Sequence, residues 1–364
     1  MTDAPKGLRL IVAGGGTGGH LFPGIAIGEA FLETVPGSRV LFVGSPRGIE
    51  ARVLPERNLP HEFLEVRALK GLSLGKKLAT LLGLPLALLR AMGIVRKFGA
   101  DVVIGVGGYV SGPVVLAARL LGRKTAIQEQ NSVPGFTNRV LGKIVHRVFT
   151  AFESAAVFFP ARKVRLAGNP IRKEIASAGA LPLPEKKTIT VLGGSQGARR
   201  LNEVVPETCK LLRAKRPDLG WIHQTGEQGF AAAKERYAGA TVDVAPFYKD
   251  MLDVFRKTSL VVGRSGASTL AELCAVGRPA VFIPFPFATD NHQEINAREL
   301  ERAGAAEVIL EKDLTAKELA DRIEKLLASS ETLPEMARRA AARGRPKAAR
   351  EIAAECAALA AAGR

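Results

Sequence analysis

The stretch from Leu8 to Ala13, LRLIVA, runs directly into Gly14–His20, GGGTGGH, and this junction decides the fold class. A short apolar run bounded by glycine is typical of a buried strand. Five of the six residues from Gly14 to Gly19 are glycine, more than a tight turn needs. Glycine lets the backbone turn sharply and approach a ligand, and a helix that follows would direct its free N–H groups at an anion. The stretch predicts a strand, a phosphate-type loop and a helix.

Further apolar runs, separated by helix-like stretches, predict an α/β fold built on parallel sheets. In the first half they are Val40–Val43, Val102–Val106, Thr125–Gln128 and Arg147–Phe149. The pattern then restarts with Thr188–Leu192, Trp221–Gln224, Thr241–Ala245, Leu260–Gly263 and Ala280–Ile283. The restart predicts a second α/β domain.

A second glycine-rich loop, Gly193–Arg199 (GGSQGAR), follows the first strand of the second half. It is either a plain strand-to-helix turn or a second phosphate loop, and its repetition in both halves favours the latter. Turn signals between Val164 and Pro184 place the junction there. We predict domains at residues 1–166 and 167–340, with a helix at about 341–364 packing back on the first.

Composition limits the classes of protein. The 364 residues suit two domains, and 52 basic against 35 acidic residues give a net charge of +17, which favours an anionic partner. The N-terminus lacks the zones of a signal peptide. The apolar run Leu78–Leu89, of 12 residues, is shorter than the roughly 20 of a membrane-spanning helix. We expect a chain that does not cross a membrane.

The first loop also fits the Gly-x-Gly-x-x-Gly pattern of dinucleotide-binding proteins. A dehydrogenase of that type needs an acidic residue at the end of its second strand to hold the ribose. Here that strand ends in Val43-Gly44-Ser45, with Arg47 beyond, which weakens the nicotinamide interpretation. A basic nucleic-acid-binding module is the other alternative, but the sequence carries no interleaved aromatic platform.

Two more glycine-rich segments, Gly105–Pro113 and Gly263–Glu272, also follow strands. Ser265–Ser268 offer a helix cap and bare N–H groups for a diphosphate. If Ser268 opens the helix, Glu272 lies one turn on and could accept both hydroxyls of a ribose; the alternative is a solvated glutamate. Polar clusters at Gln128–Asn131 and Asp290–Glu294 suit sugar hydroxyls, or are ordinary polar loops.

His20 ends the first loop, where an imidazole can transfer protons near neutral pH. A structural histidine is an equal alternative. No His, Cys or Asp cluster has metal-ligand spacing, and no Asp-x-Asp pair is present, so we expect no metal in the site.

Residues 69–97 combine basic and leucine-rich positions. Such a segment suits docking on an anionic bilayer, where each basic group adds about 1 kcal/mol. An ordinary amphipathic core helix is the alternative interpretation.

Seven segments in order, spanning about residues 8–300, closely resemble the bacterial MurG family. They are Gly15–His20, Gly107–Pro113, Glu129–Asn131, Gly168–Arg172, Gly193–Ala198, Arg264–Ala267 and Asp290–Gln293. The resemblance implies a GT-B fold, in which two Rossmann-like domains with parallel sheets face a cleft between them. It implies transfer of N-acetylglucosamine from UDP-N-acetylglucosamine to undecaprenyl-diphospho-N-acetylmuramoyl-pentapeptide (lipid I), giving lipid II for peptidoglycan. No cofactor and no active-site metal are implied.

The resemblance also assigns residues. The donor nucleotide is expected on the second domain, with contacts from the first, and Tyr109 is expected on the acceptor side. His20 is the family's candidate base. The expected substrate-binding residues are Thr17, Gly18, Gly19, Tyr109, Asn131, Arg172, Ser195, Gln196, Phe247, Tyr248, Ala267, Ser268, Thr269, Glu272 and Gln293.

The positive charge and the segment 69–97 predict a peripheral enzyme at the cytoplasmic face of the bacterial plasma membrane, where a lipid acceptor is found. Its expected partners are the UDP-N-acetylglucosamine donor, the lipid-linked acceptor, an anionic membrane surface contacted by about residues 69–97, and other proteins of cell-wall synthesis. Nucleic acid is not expected among them. The expected reaction is a single displacement that inverts the anomeric centre.

Overall fold

The computed structural model describes residues 7–66, 74–194 and 196–362, with the backbone alone for residues 74–82. The predicted donor ligand Ser195 and residues 69–73 of the basic segment lie outside the described residues. Contacts divide the chain into two compact units. One runs up to Arg172 and includes the residues from Lys347 onward, and the other is Lys173–Pro346.

The first unit alternates strands and helices. Its strands are β1 (Arg9–Ala13), β2 (Arg39–Gly44), β3 (His61–Phe63), β4 (Val102–Gly105), β5 (Lys124–Glu129), β6 (Arg147–Thr150) and β7 (Val164–Leu166). Its helices are α1 (Gly18–Thr34), α2 (Glu50–Glu56), α3 (Leu74–Phe98), α4 (Ser111–Leu120), α5 (Phe136–Ile144) and α6 (Glu153–Ala156), with a 3-10 turn at Ala161–Lys163.

These strands form one parallel sheet in the order β3-β2-β1-β4-β5-β6-β7. The order reverses between β1 and β4, where Ile11 pairs with Val103. In a doubly wound sheet, ligands bind beyond the carboxyl ends of the strands at such a switch point. The loops after β1 and β4 therefore mark the candidate site of this unit.

The second unit repeats the plan. Its strands are β8 (Thr188–Leu192), β9 (Gly220–Gln224), β10 (Asp243–Ala245), β11 (Leu260–Gly263), β12 (Ala280–Phe282) and β13 (Ala306–Val308). Its helices are α7 (Lys173–Ala178), α8 (Arg199–Arg213), α9 (Phe230–Arg236), α10 (Met251–Lys257), α11 (Ala267–Val276), α12 (His292–Arg302), α13 (Ala316–Leu327) and α14 (Thr332–Arg343).

The second sheet is also parallel, in the order β10-β9-β8-β11-β12-β13. Its switch point lies between β8 and β11, where Val191 pairs with Val262. The predicted fold class, α/β with parallel sheets, is confirmed, and each glycine loop follows a strand at the switch point of its sheet.

The last helix, α15 (Ala348–Ala361), belongs to the first unit. Its residues Ile352, Ala353 and Cys356 are fully buried, in one apolar cluster with Ile25 and Phe31 of α1. Removing this apolar area from water holds the end of the chain on the first unit.

Helix α3 has two kinds of face. Ala91 and Val95 are buried in the core of the first unit, with Met92 packed against it. Leu86 and Leu89 keep 54% and 65% of their surface exposed. The described side chains therefore show both a core-facing stripe and an apolar surface. No helix in the described ranges is both long enough and apolar enough to span a bilayer.

Candidate active site

The loop after β1 has a backbone that only glycine adopts readily. Gly14, Gly15 and Gly16 have φ values of +148°, +140° and +88°. A Cβ on Gly14 would lie 2.4 Å from the carbonyl oxygen of Gly107 in the loop after β4, and one on Gly108 would lie 2.4 Å from the carbonyl oxygen of Gly15. The absence of side chains therefore lets the two switch-point loops touch.

The three glycine amides of this loop already have acceptors within the protein. Gly14 N–H donates to Val43 O at 3.0 Å, and Gly15 N–H to Gly107 O at 3.3 Å. Gly16 N–H donates to the Glu50 carboxylate, at 3.0 Å from Oε1 and 2.8 Å from Oε2. An anion bound here therefore has to be held by amides further along, at the start of α1.

Glu50 is the residue that organises the first loop. Its side chain is fully buried, and its carboxylate also accepts the Ser45 N–H at 2.8 Å. It thereby ties the loop after β2 to the loop after β1. The sequence does not distinguish Glu50 from other acidic residues, because an acidic residue in the first turn of a helix normally indicates only a favourable interaction with the helix dipole.

Four predicted site residues open α1. Thr17 is the N-cap and is exposed, and Gly18, Gly19 and His20 form the first turn. The first N–H groups of a helix have no partner inside it and carry the positive end of its dipole. No acidic residue lies in this first turn. The geometry suits a diphosphate, with the His20 imidazole beside it.

A buried glutamine holds His20. Gln130 is 1% exposed, and its Nε2 donates to Val106 O at 2.7 Å and also to Gln128 Oε1. Its Oε1 therefore faces His20 Nδ1, at 3.1 Å. An amide oxygen can only accept a hydrogen bond, so Nδ1 carries a proton. In the neutral imidazole, Nε2 is then the unprotonated, basic nitrogen.

The loop after β5 is shaped by a second buried glutamate. Glu129 Oε1 accepts the Asn131 backbone N–H at 3.0 Å and lies 3.3 Å from Asn131 Nδ2. Its Oε2 accepts from Asn138 Nδ2 at 2.8 Å and from the Gly135 N–H at 3.2 Å. Asn131 is thus held at the carboxyl end of β5, next to Gln130. Tyr109, in the loop after β4, is 48% exposed.

In the second unit, the loop after β8 also depends on glycine. Gly194 and Gly197 have φ values of +83° and +78°. A Cβ on Gly197 would lie 2.0 Å from Thr225 O. Gly197 N–H donates to Gly194 O at 3.1 Å, and Gln196 is exposed at the tip of this turn.

The loop after β11 leads into the helix that carries most predicted donor contacts. The N-cap of α11 is Gly266, and the helix begins at Ala267, not at Ser268 as supposed from the sequence. The Ser265 hydroxyl already has a partner within the protein, because it donates to Gln293 O at 2.8 Å. Ala267, Ser268 and Thr269 form a first turn without a side-chain cap, which exposes amides to an anion.

Two polar side chains on α11 fit a ribose or phosphate ligand. The Ser268 hydroxyl oxygen is buried and has no hydrogen-bond partner within the described part of the chain, which is uncommon for a buried polar atom. Glu272 follows four residues later, on the same helix face and partly buried.

In Gln293 and Tyr248, one polar group of each side chain is already hydrogen-bonded within the protein, which limits the groups that can bind a ligand. The Phe285 N–H donates to Gln293 Oε1 at 3.0 Å, so the NH₂ group of Gln293 is the part that can bind a ligand. The Tyr248 hydroxyl lies 2.9 Å from Asp243 Oδ1. Burial, followed by this hydrogen bond, raises the pKa of Tyr248. The backbone at Phe247 and Tyr248 is therefore better suited to ligand contact than the Tyr248 hydroxyl.

Two arginines, Arg264 and Arg172, remain to be placed among the residues that the sequence singled out. Arg264 Nη1 donates to Ile283 O at 3.0 Å, and its Nη2 pairs with Glu311, so it supports the loop. Arg172 ends the first of the two segments that make up the first unit, and it directly precedes α7. Among the residues that the structure describes, no three His, Cys, Asp or Glu side chains are grouped as metal ligands.

Family models match both units. The glycosyltransferase family 28 N-terminal domain matches residues 10–150, and the glycosyltransferase family 28 C-terminal domain matches residues 188–352. Both glycine loops and all predicted site residues except Arg172 fall inside these ranges.

Named proteins are similar over nearly the whole chain. One from Anaeromyxobacter sp. (strain Fw109-5) is 48% identical, covering 97% of this chain and 93% of that protein. One from Myxococcus xanthus is 45% identical, covering 96% and 92%. Both are named UDP-N-acetylglucosamine–N-acetylmuramyl-(pentapeptide) pyrophosphoryl-undecaprenol N-acetylglucosamine transferase.

A solved structure agrees with them. The crystal structure of Acinetobacter baumannii MurG is 33% identical and matches with a TM-score of 0.77, covering 96% of this chain and 99% of that one. The sequence and fold comparisons thus coincide, and this chain belongs to glycosyltransferase family 28 and, within it, to the MurG family.

Proposed function

We propose that this chain transfers N-acetylglucosamine from UDP-N-acetylglucosamine to the muramoyl 4-hydroxyl of lipid I, giving lipid II and UDP. Similarity to transferases of this name covers at least 96% of the chain in two relatives. The observation that carries the chemistry is the orientation of His20, whose Nδ1 is turned to Gln130 Oε1 at 3.1 Å.

The proposed reaction is a single displacement. The acceptor oxygen forms a bond to the anomeric carbon while the bond from that carbon to the UDP oxygen breaks, so the α configuration becomes β. The hydroxyl proton passes to His20 Nε2, and UDP leaves with the bonding electrons and added negative charge. General-base assistance of this kind contributes roughly 10²–10⁴-fold to a rate.

The donor is proposed to bind to the second unit, predicted as residues 167–340. The first-turn amides of α11 (Ala267, Ser268 and Thr269) suit the diphosphate, and Glu272 suits the ribose hydroxyls. Further donor contacts are proposed for Ser195, Gln196, the Phe247–Tyr248 backbone and the Gln293 NH₂ group. Arg172 would balance charge on the departing diphosphate.

The acceptor diphosphate is proposed to bind to the first unit, predicted as residues 1–166. The amides of Gly18 and Gly19 at the start of α1 suit it, because the amides of Gly14, Gly15 and Gly16 are engaged within the protein. Thr17, Tyr109 and Asn131 are the proposed polar contacts around the reacting sugar.

Attachment to a membrane surface is proposed through about residues 69–97. In the described part of this segment, Leu86 and Leu89 are exposed apolar side chains, and Arg90 beside them is exposed too. Apolar side chains flanked by cations suit the interface of an anionic bilayer. Because the proposed acceptor is lipid-linked, we propose that this surface lies at the cytoplasmic face of the plasma membrane. Other proteins of cell-wall synthesis stay predicted partners.

The function is tested by incubating the chain with labelled UDP-N-acetylglucosamine and lipid I, with and without excess EDTA. Label should enter the lipid fraction at equal rates, in a β linkage. Complete loss in EDTA would overturn the metal-free site. Tight binding of NAD in preference to UDP would favour the dehydrogenase alternative.

A further inference from the structure

A basic cavity that is largely open to solvent lies on the first unit, away from the glycine loops. Its volume is about 460 Å³, within the range of small-ligand pockets, about 300–1,000 Å³. Its polar lining consists of Arg119, Arg162, Lys163 and His146, and Ile144 and Leu359 are among its apolar lining residues. None of these residues belongs to the segment 69–97 or to the proposed substrate contacts.

The sheet topology separates this cavity from His20. His146 directly precedes β6, and Lys163 directly precedes β7, so both lie at the amino ends of their strands. The glycine loops follow β1 and β4 at the carboxyl ends. Because all strands of this sheet are parallel, the cavity lies at the amino ends of the strands and the glycine loops lie at their carboxyl ends.

The positive charge of the cavity exceeds the negative charge that neighbouring groups of the protein supply. No lining residue is acidic, and the nearby Glu355 pairs with Arg147 at 3.2 Å. Arg119 Nε donates to Ile144 O at 3.0 Å, and Lys163 Nζ donates to Lys143 O at 2.6 Å. These bonds cap the end of α5, but a helix terminus supplies only about half a negative charge.

Burial and the neighbouring cations both lower the pKa of ionisable groups in the cavity. Burial, then the charges of Arg119, Lys124 and Lys163, lowers the pKa of His146. Burial, then the charges of Arg162 and Arg119, lowers the pKa of Lys163. The Thr125 N–H donates to His146 Nδ1 at 3.0 Å, so the proton of the neutral ring lies on Nε2, as a hydrogen-bond donor.

We propose that this cavity binds the phosphate group of an anionic ligand. A phosphate monoester carries a charge of about −1.5 to −2 and three acceptor oxygens. Two guanidinium groups, one ammonium group and an imidazole N–H match such an acceptor set. Ile144 and Leu359 give an apolar side to the pocket, against which an organic part of the ligand can pack.

The direct test uses His146 as a local reporter. The chain has five histidines, so ¹³Cε1-histidine labelling gives a small NMR spectrum, and His146→Gln identifies the His146 signal. Pyrophosphate is added with UDP already saturating, so that a nucleotide site cannot account for the response. The His146 signal should shift saturably.

Two charge-removing variants distinguish binding in this cavity from attraction by the net positive charge of the protein. Arg162→Gln/Lys163→Gln should weaken the pyrophosphate response about ten-fold or more, since each charge-assisted hydrogen bond is among the stronger kinds. The control Lys234→Gln/Arg236→Gln removes the same charge from exposed positions of α9 and should bind as the wild type does. Arg162→Gln alone leaves both bonds to α5 in place and should also weaken binding, should the double variant misfold.

Two sources of phosphate are distinguished by vesicle sedimentation. If the double variant, unlike its control, also loses partition into vesicles containing phosphatidylglycerol, the ligand is a lipid headgroup. If only the pyrophosphate response weakens, the ligand is a soluble phosphate compound. A His146 signal that does not respond in the wild type, or responds equally in the double variant and its control, overturns the proposal.

Discussion

His20 Nδ1 lies 3.1 Å from Gln130 Oε1, and the Gln130 amide is itself fixed by a 2.7 Å bond from Nε2 to Val106 O. The protein therefore selects one imidazole tautomer. The basic Nε2 is the nitrogen that remains to accept a proton.

Replacing Gln130 should change both the rate and its pH dependence. Gln130→Leu removes the acceptor for Nδ1–H, and we expect kcat to fall by roughly ten-fold or more, but by less than the whole 10²–10⁴-fold that general-base catalysis contributes. Gln130→Glu places a carboxylate beside the ring, which favours the imidazolium. A base must be deprotonated, so the acid limb of the kcat profile should move to higher pH. A profile unchanged in Gln130→Glu would contradict the positioning role.

Glu50 should be a stability residue of the first unit. Glu50→Ala removes the carboxylate that accepts the part-buried hydrogen bonds of the Gly16 and Ser45 N–H groups, and a hydrogen bond to a charged group is worth about 1.5–3 kcal/mol. Native-state hydrogen exchange of the β1 amides, Arg9–Ala13, reports on this unit alone. The matched control is Glu56→Ala, at the exposed end of the same helix, which should stay within about 0.5 kcal/mol. Equal exchange in the two variants would count against the loop-organising role.

Glu272 should select the ribose. With 2′-deoxy-UDP-N-acetylglucosamine as donor, the wild type should lose about ten-fold or more in kcat/KM, since a hydrogen bond to a charged group is worth roughly 1.5–3 kcal/mol. Glu272→Ala should treat both donors nearly alike. Glu235→Ala, at an exposed position of α9, should keep the discrimination. Persistence of the preference in Glu272→Ala would remove Glu272 from the donor site.

Exposed leucines of α3 should contribute to membrane attachment. Leu86→Ser/Leu89→Ser should lower partition into anionic vesicles by about ten-fold or more, because burying a leucine side chain is worth up to about 1.5–3 kcal/mol. Leu211→Ser is the control, since Leu211 is a comparably exposed leucine, 48%, on α8 of the second unit. If all three chains sediment equally, this face of α3 does not contact the bilayer.

The central strands were predictable, whereas three of the four edge strands of the two described sheets, all but β10, were not. Thr188–Leu192 and Leu260–Gly263 form strands over the very residues predicted. The three missed strands, β3, β7 and β13, have only three residues each and contain charged residues. An edge strand has a neighbouring strand on one side only and is less buried, so its sequence does not show the continuous apolar run of a central strand.

The candidate site divides in the same way. The glycine loops were predictable, because positive φ values at Gly14 to Gly16 and close backbone approach demand that residue type. The roles of Glu50 and Gln130 were not, since their partners lie 34 and 110 residues away in sequence. Only the folded chain places a buried carboxylate under the loop and a glutamine behind His20.

The most direct measurement is the single-turnover rate of N-acetylglucosamine transfer to lipid I, for the wild type and His20→Ala in parallel. We expect the wild type to form lipid II, and His20→Ala to bind UDP equally well but transfer roughly 10²–10⁴-fold more slowly. A wild type that forms no lipid II, or a His20→Ala chain with an undiminished rate, would contradict a glycosyl transfer in which His20 is the base.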